Sequence, residues 1–422
     1  MAGRLWRHRD FLLLWGGQTI SDIGSAVSML VLPLIAVVYL NASGFEVGAL
    51  NAVQWLPSLL IGLPAGVWVD RSRRRMLMIG ADAVRAVLLA SVPVAAALGA
   101  LGIGQLFGVA FGVGVANVVF QVSEQAYPPS LVPSEDLPEA NAKLLGSSSV
   151  AQVVGPGFGG LLVQAARAPY ALLADAVSYV VSLVSLLLIR AREPNPARIE
   201  HESVRTAVAA GARFVRHDPL LRTMTIAPAV ANLFLCGYEA IAVLFLVRSV
   251  HLAASTVGLL MALVSLGSVA GALVARPLGR RIGTARAMWL SSAVTTPVSI
   301  LVAFTSRGAG LVFFVVGNVA LFFGILIYNV TITAFRQAYC PPEMLGRVVA
   351  SMRFVLFGTI PVGALLAGAL ASAVGARQAV LVMMVGGMLS SVLLCASPLR
   401  TMRDLPARSA GRASATPAAA HT

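Results

Sequence analysis

Apolar blocks of about twenty residues recur from one end of this chain to the other, separated by short connections that are polar or rich in glycine. A helix rising ~1.5 Å per residue needs that length to cross the hydrocarbon layer of a bilayer. No soluble fold absorbs such a pattern. With 58% hydrophobic and 11% charged residues, a chain of 422 residues carries more apolar surface than one aqueous core encloses. The blocks fall at 11–40, 47–69, 76–98, 105–127, 141–165 and 170–189, then at 224–247, 256–276, 287–304, 311–334, 347–373 and 379–397. The expected architecture is an all-α membrane protein of 12 transmembrane helices in two sets of six.

The formal net charge of +14 raises a nucleic-acid reading, but the distribution of arginine argues against it. One set of loops collects Arg4, Arg7 and Arg9, then Arg71, Arg73, Arg74 and Arg75, then Arg276, Arg280, Arg281 and Arg286. The opposite loops offer Arg167, Arg248, Arg307 and Arg377. By the positive-inside rule, both termini and the central connection face the cytoplasm, which requires an even number of spans. The expected organisation is a cytoplasmic N-terminal segment 1–10, an N-terminal six-helix bundle 11–189, a cytoplasmic linker 190–221, a C-terminal six-helix bundle 222–399 and a disordered cytoplasmic tail 400–422. The first block lacks a small-residue cleavage site and is read as a retained span. In the linker, Val204, Val208, Gly211 and Val215 recur at helical spacing, which fits an amphipathic helix on the membrane face or a solvated connector.

Cys236, Cys340 and Cys395 have no metal-type or redox-type spacing. The five histidines fall in expected loops or tails, and no phosphate-cradling loop or nucleophile elbow is present. The chain therefore reads as a non-enzyme without cofactor, driven by an ion gradient, with a proton gradient expected. Its expected partners are the lipid bilayer and a small-molecule substrate, with no nucleic acid, and it is expected to act as a monomer in the inner (cytoplasmic) membrane.

Two halves around a linker suggest duplication. Asn117, Gln125, Ala126 and Tyr127 in the fourth span are matched at the same offsets by Asn329, Gln337, Ala338 and Tyr339 in the tenth. The loop after the second span reads Gly66, Val67, Trp68, Val69, Asp70, Arg71, Ser72, Arg73, Arg74, Arg75, and it resembles the signature loop of the major facilitator superfamily. In that reading Gly66 admits a neighbouring helix, Asp70 meets a helix amino terminus, and Arg71, Arg74 and Arg75 hold the loop at the anionic leaflet. Arg73 stands where the family usually has glycine, and the second-half equivalent, Gly271 to Arg281, has Ala275 in place of the aspartate. Gly155, Pro156, Gly157, Phe158, Gly159 and Gly160 resemble the Gly-Pro motif of exporters in this superfamily, suited either to a rocking helix or to close packing. Trp15, Gly16, Gln18 and Thr19, with Asp82, Arg85 and Asp175, are similar to the branch of macrolide and siderophore exporters. The resemblance spans roughly residues 5 to 400 and implies the major facilitator fold, two bundles related by a pseudo-twofold axis.

An ionised side chain at bilayer depth costs at least ~2.5 kcal/mol, so each one calls for a role. Asp22 and Glu239, at mid-depth in spans one and seven, are the candidates to carry a coupling proton. Glu124 and Arg353 are candidates for a gate, Asp82 and Arg85 for a local pair, and Asp175 for packing or capping near the outer face. The substrate cavity is expected between spans one, four, seven and ten, with Gln18, Asn117, Gln121, Asn232, Tyr238, Tyr328 and Asn329 as polar contacts and Phe120, Phe234 and Phe323 as apolar ones. So few charges suit an amphipathic or aromatic substrate. The function expected is secondary export of a small amphipathic molecule such as a drug, macrolide or siderophore, by proton antiport with alternating access. The alternatives are an importer of a small nutrient or siderophore and a transport-inactive receptor or scaffold.

Overall fold

The computed structural model describes residues 5–191, 193 and 204–406, so the expected tail beyond 406 and positions 192 and 194–203 of the expected linker lie outside the described residues. Six helices form the first half: α1 (Arg9–Leu34), α2 (Gly44–Asp70), α3 (Arg74–Ala97), α4 (Ile103–Ala126), α5 (Leu137–Ala166) and α6 (Ala168–Leu188). A connecting helix α7 (Val204–His217) leads to α8 (Pro219–Leu244), α9 (Ala254–Ile282), α10 (Thr284–Ser299), α11 (Leu311–Tyr339), α12 (Pro342–Val374) and α13 (Ala376–Cys395). Eleven of these are long and apolar enough to cross a membrane, and α2, bent by 60° after Gly62, brings the number to as many as 12. No strand is present among the described residues.

Helices overrun the apolar blocks on one face. α9 runs to Ile282, so Arg276, Arg280 and Arg281 sit on a helix and not in a loop as expected. The apolar run marks only the lipid-facing length, while the backbone stays hydrogen-bonded through the headgroup layer and arginine stems lie along it. The same face carries α7, the start of α8 and the end of α13, and is called the linker face below. At the end of the expected second bundle, Pro398–Thr401 form a helical turn and Leu399 is buried beside Leu221 and Leu394. Gly211 of α7 lies against α12, where an added methyl would come within 2.1 Å of the Arg347 carbonyl, and Val215 is buried in the same cluster as Met352. α7 is thus docked on the second half.

The halves are duplicates in backbone where their sequences share nothing obvious. α1 and α8 each end in a five-residue π turn, Ile35–Tyr39 and Phe245–Ser249. Each turn is followed by a non-glycine residue at positive φ, Asn41 at 52° and His251 at 58°. Equivalent bonds close both: Leu40 N to Ile35 O at 3.0 Å and Ala42 N to Ala36 O at 2.8 Å, against Val250 N to Phe245 O at 3.1 Å and Leu252 N to Leu246 O at 3.0 Å. One hairpin geometry therefore starts both bundles.

Burial is divided unevenly between the two faces. Away from the linker face, one continuous apolar cluster joins both bundles, from Val27, Leu30 and Leu106 to Ile241, Val257 and Met383. On the linker face each bundle has its own cluster, one around Phe11, Tyr127 and Leu186 and the other around Leu221, Phe335 and Leu399. The far-side joint is made by backbones in close approach. A methyl on Gly48 of α2 would come within 2.4 Å of the Ala364 carbonyl of α12, and one on Gly160 of α5 within 2.7 Å of the Ala254 carbonyl of α9. Phe45 N donates to Ser372 Oγ at 2.8 Å across the same seam. On the linker half, Gly62, Gly66, Gly146 and Gly346 face open space. The bundles are joined across the far half and diverge toward the linker.

Candidate functional site

The signature loop is built differently from its sequence reading. Asp70 closes α2 and pairs with Arg74 at 3.8 Å. The amino terminus of α3 is met by Glu193, which accepts from Arg74 N at 2.8 Å and Arg75 N at 3.3 Å. A carboxylate there satisfies orphan donors and faces the positive end of the helix dipole. Arg75 donates from Nε to Leu186 O at 2.8 Å and from its terminal nitrogen to Leu187 O at 2.9 Å, tying α3 to the end of α6, while Arg71 is exposed. Arg73 has φ of −74°, an ordinary value, so no glycine is required at its position. The second half repeats the device: Asp404 Oδ1 accepts from Thr284 N at 2.9 Å, and the Arg403 carbonyl from Ala285 N at 3.1 Å, at the start of α10.

The exporter-like stretch of α5 lies between two helices. Gly155 faces Ala26 of α1, where an added methyl would come within 2.3 Å, and Gly159 lies along Val27. Pro156 turns its carbonyl to Gly258 of α9, in the opposite bundle.

Charge is concentrated inside the first bundle. Arg85 of α3 pairs with Asp82 one turn earlier, and both are almost fully buried. Its other terminal nitrogen donates to Asn117 Oδ1 of α4 at 3.1 Å. The guanidinium lies 4.1 Å from the Phe120 ring centroid and 4.2 Å from that of Tyr179, a cation between two aromatic faces. The Tyr179 hydroxyl bonds Ser25 Oγ at 2.9 Å. Asp175 of α6 accepts from Ser28 of α1 and from Ser178 Oγ at 3.0 Å, within electrostatic range of Arg85 and Asp82. Asp175 is thus packed within this interior cluster, the first of its two expected roles, and does not cap a helix.

Asp22 joins it from α1. It lies near Ser148 of α5 and within electrostatic range of Arg85. Glu124 near the end of α4 lies near the Gln18 side chain and within electrostatic range of Asp22. Both are partly exposed, so this edge of the cluster opens on a wall. The structure groups Asp22 with Glu124. Glu239 of α8 lies apart, without a hydrogen-bond or ion-pair partner among the described residues. Its side chain is surface-accessible although protein surrounds it at longer range, which places it on the wall of a cleft. Arg353 is exposed on α12 with Arg336 as a like-charged neighbour.

The second bundle holds a chamber of about 280 Å³ between α8, α10, α11, α12 and α13. Asn232, Phe234, Tyr328 and Asn329 of the expected cavity line it. The other six expected cavity residues are elsewhere. Asn117 and Phe120 hold Arg85, Gln18 faces Glu124, and Gln121 is exposed. Tyr238 is buried and donates to Asn318 Oδ1 at 3.0 Å, while Phe323 packs beside Gly271 and Ala275 of α9. The expected residues thus divide between a polar cluster in the first bundle and a neutral chamber in the second, with Gln121, Tyr238 and Phe323 outside both.

Sequence reasoning passed over two features. Lys143, the one lysine of the chain, lies 4.0 Å from the Trp6 ring centroid and 3.4 Å from Glu139, while Trp15 Nε1 donates to its carbonyl at 3.3 Å. The second is the serine-aspartate seam between α1 and α6. Its signal was present: Gln18, Ser21, Asp22, Ser25 and Ser28, and likewise Asp175, Ser178, Tyr179 and Ser182, recur at three- and four-residue steps inside apolar blocks.

Residues 5–420 match the sequence profile of a family described as transmembrane secretion effector. The multidrug efflux pump Tap of Mycolicibacterium fortuitum is 26% identical over 415 residues, covering 94% of this chain and 97% of that protein. Macrolide efflux protein A of Streptococcus pyogenes is 23% identical over 384 residues, covering 87% and 91%. Among solved structures, the nucleoside transporter NupG superposes with a TM-score of 0.75 at 13% identity, covering 91% of this chain and 97% of that one.

Proposed function

Because this chain belongs to the transmembrane secretion effector family, within the major facilitator superfamily, we propose that it is a secondary exporter of a small amphipathic drug-like molecule, driven by proton antiport. The linker face, with its arginines, is the cytoplasmic face in this reading, and both termini lie there. Two relatives covered along most of their length are named for efflux, one a multidrug efflux pump and the other a macrolide efflux protein, which favours outward movement of a drug.

The observation that carries the coupling is the charge imbalance of the first bundle. Asp22, Asp82, Glu124 and Asp175 share one guanidinium, that of Arg85. Charges at this depth need compensation, and protons are the mobile species that supply it. Asp22 and Glu124 form the accessible edge, so they exchange protons with the cleft, while Arg85 relays the charge state to α4 and α6 through Asn117 and Tyr179. Asp22 keeps the coupling role expected of it, Glu124 becomes its partner, and Glu239 serves as a second, independent proton site. Substrate and protons alternate as the bundles rock about their far-side joint.

The test is transport by purified protein in liposomes with an imposed pH gradient, using a macrolide and a fluorescent cationic dye. Gradient-driven flux is expected, lost in Asp22→Asn and in Glu124→Gln while counterflow persists. If both variants keep wild-type rates and pH dependence, proton coupling at this pair is refuted.

A further inference from the structure

The chamber of the second bundle differs in chemistry from everything in the first. No Asp, Glu, Arg, Lys or His lines it. A charged ligand would lose its hydration there with no counter-ion to replace it. Phe234, Tyr328, Met383 and Met384 supply aromatic and thioether surface, which suits rings and branched carbon skeletons. Two polar groups remain unused: the Thr295 hydroxyl and the Asn329 carboxamide line the chamber without a hydrogen-bond partner among the described residues. By contrast, Ser299 and Ser390 bond back to Thr296 O at 2.6 Å and Gly387 O at 2.7 Å, and Asn232 is held by Leu356 O at 3.0 Å and Thr359 Oγ1 at 2.9 Å. Free donors and acceptors facing an apolar cavity are how a site fixes the orientation of a neutral ligand.

We propose that this chamber is a binding site for an uncharged molecule of two linked aromatic ring systems carrying one or two hydrogen-bonding groups, which meet Thr295 and Asn329. In this division large substrates such as a macrolactone with its sugars occupy the cleft between bundles, and small neutral ones occupy this chamber of about 280 Å³. The proposal rests on the exporter reading and adds a division of labour to it: protons in the first bundle, small neutral cargo in the second.

Two residues make the test direct. Trp289, the one tryptophan of the second half, lies one helical turn before Ser292 of the chamber wall. At Gly387 an added methyl would meet only the Phe234 Cβ, at 3.9 Å, so a larger side chain there fills the chamber without striking backbone. In nanodiscs, N-phenyl-1-naphthylamine is titrated and its energy transfer from Trp289 is read as the difference from Trp289→Phe. Saturable transfer is expected, abolished in Gly387→Leu and weakened about two- to tenfold in Thr295→Val, the loss of one neutral hydrogen bond. Transfer that does not saturate, or that keeps wild-type affinity in Gly387→Leu, overturns the proposal. Where Gly387→Leu does not fold, unchanged affinity in Thr295→Val overturns it. In liposomes with a pH gradient, Gly387→Leu is expected to stop export of the naphthylamine and to preserve that of a macrolide. Saturable transfer with no gradient-driven flux of either compound refutes the exporter reading while upholding the chamber.

Discussion

Replacing Arg85 by methionine tests how the first bundle tolerates its own charge. The side chain is 5% exposed and its partner Asp82 is 0% exposed, so removing the guanidinium strands a carboxylate in a medium of low dielectric. Breaking such a pair from one side destabilises by about 3–5 kcal/mol. Losing the contacts with the Phe120 and Tyr179 rings adds roughly 1–2 kcal/mol. In Asp82→Asn/Arg85→Met the stranded charge is absent, so the double variant should be more stable than the sum of the two single losses by at least about 1.5 kcal/mol. Cys236 and Cys340 are free and buried, so a thiol-reactive coumarin added to protein in detergent reports unfolding in a denaturant titration. Losses that add to within about 0.5 kcal/mol would show that Arg85 and Asp82 do not depend on each other, and the reasoning about the cluster would fall with them.

Gly48→Val should insert and fold but stop transport, because its side chain meets the Ala364 carbonyl and wedges α2 from α12; loss of disulfide cross-linking between cysteines introduced at 45 and 372 would register it. Asp404→Ala removes the acceptor for Thr284 N and should lower stability by about 0.5–1 kcal/mol, as helix caps do, with faster amide exchange confined to the first turn of α10. Tyr339→Phe loses a 2.6 Å bond to Asp218, the N-cap of α8, and should cost about 1 kcal/mol in the same coumarin assay, with transport unchanged.

The spans were legible because lipid makes hydropathy a direct record of helix length, and the halves because arginines mark alternate loops. Helix ends were less so. Glu193 and Asp404 act from segments whose composition reads as connector and tail, and no periodicity ties either to the start of a distant helix. Asp22, Arg85 and Glu124 could be singled out because a charge in an apolar block is conspicuous. Their grouping could not, since it depends on which face each helix turns inward. Which residues of spans one, four, seven and ten turn away from a shared cavity was hidden for the same reason: Asn117 and Phe120 face the interior of their own bundle, and Tyr238 faces Asn318.

Glu193 follows the sixth helix of its half and Asp404 the last helix of the other, and each reaches back to fasten the third. Each half therefore owns the fastening it needs, and a division of the chain after Glu193 and before Val204 leaves both fastenings in place. Two polypeptides divided there would each be whole in this respect and could be made separately and recombined; a cut a few positions earlier would leave the first of them undone.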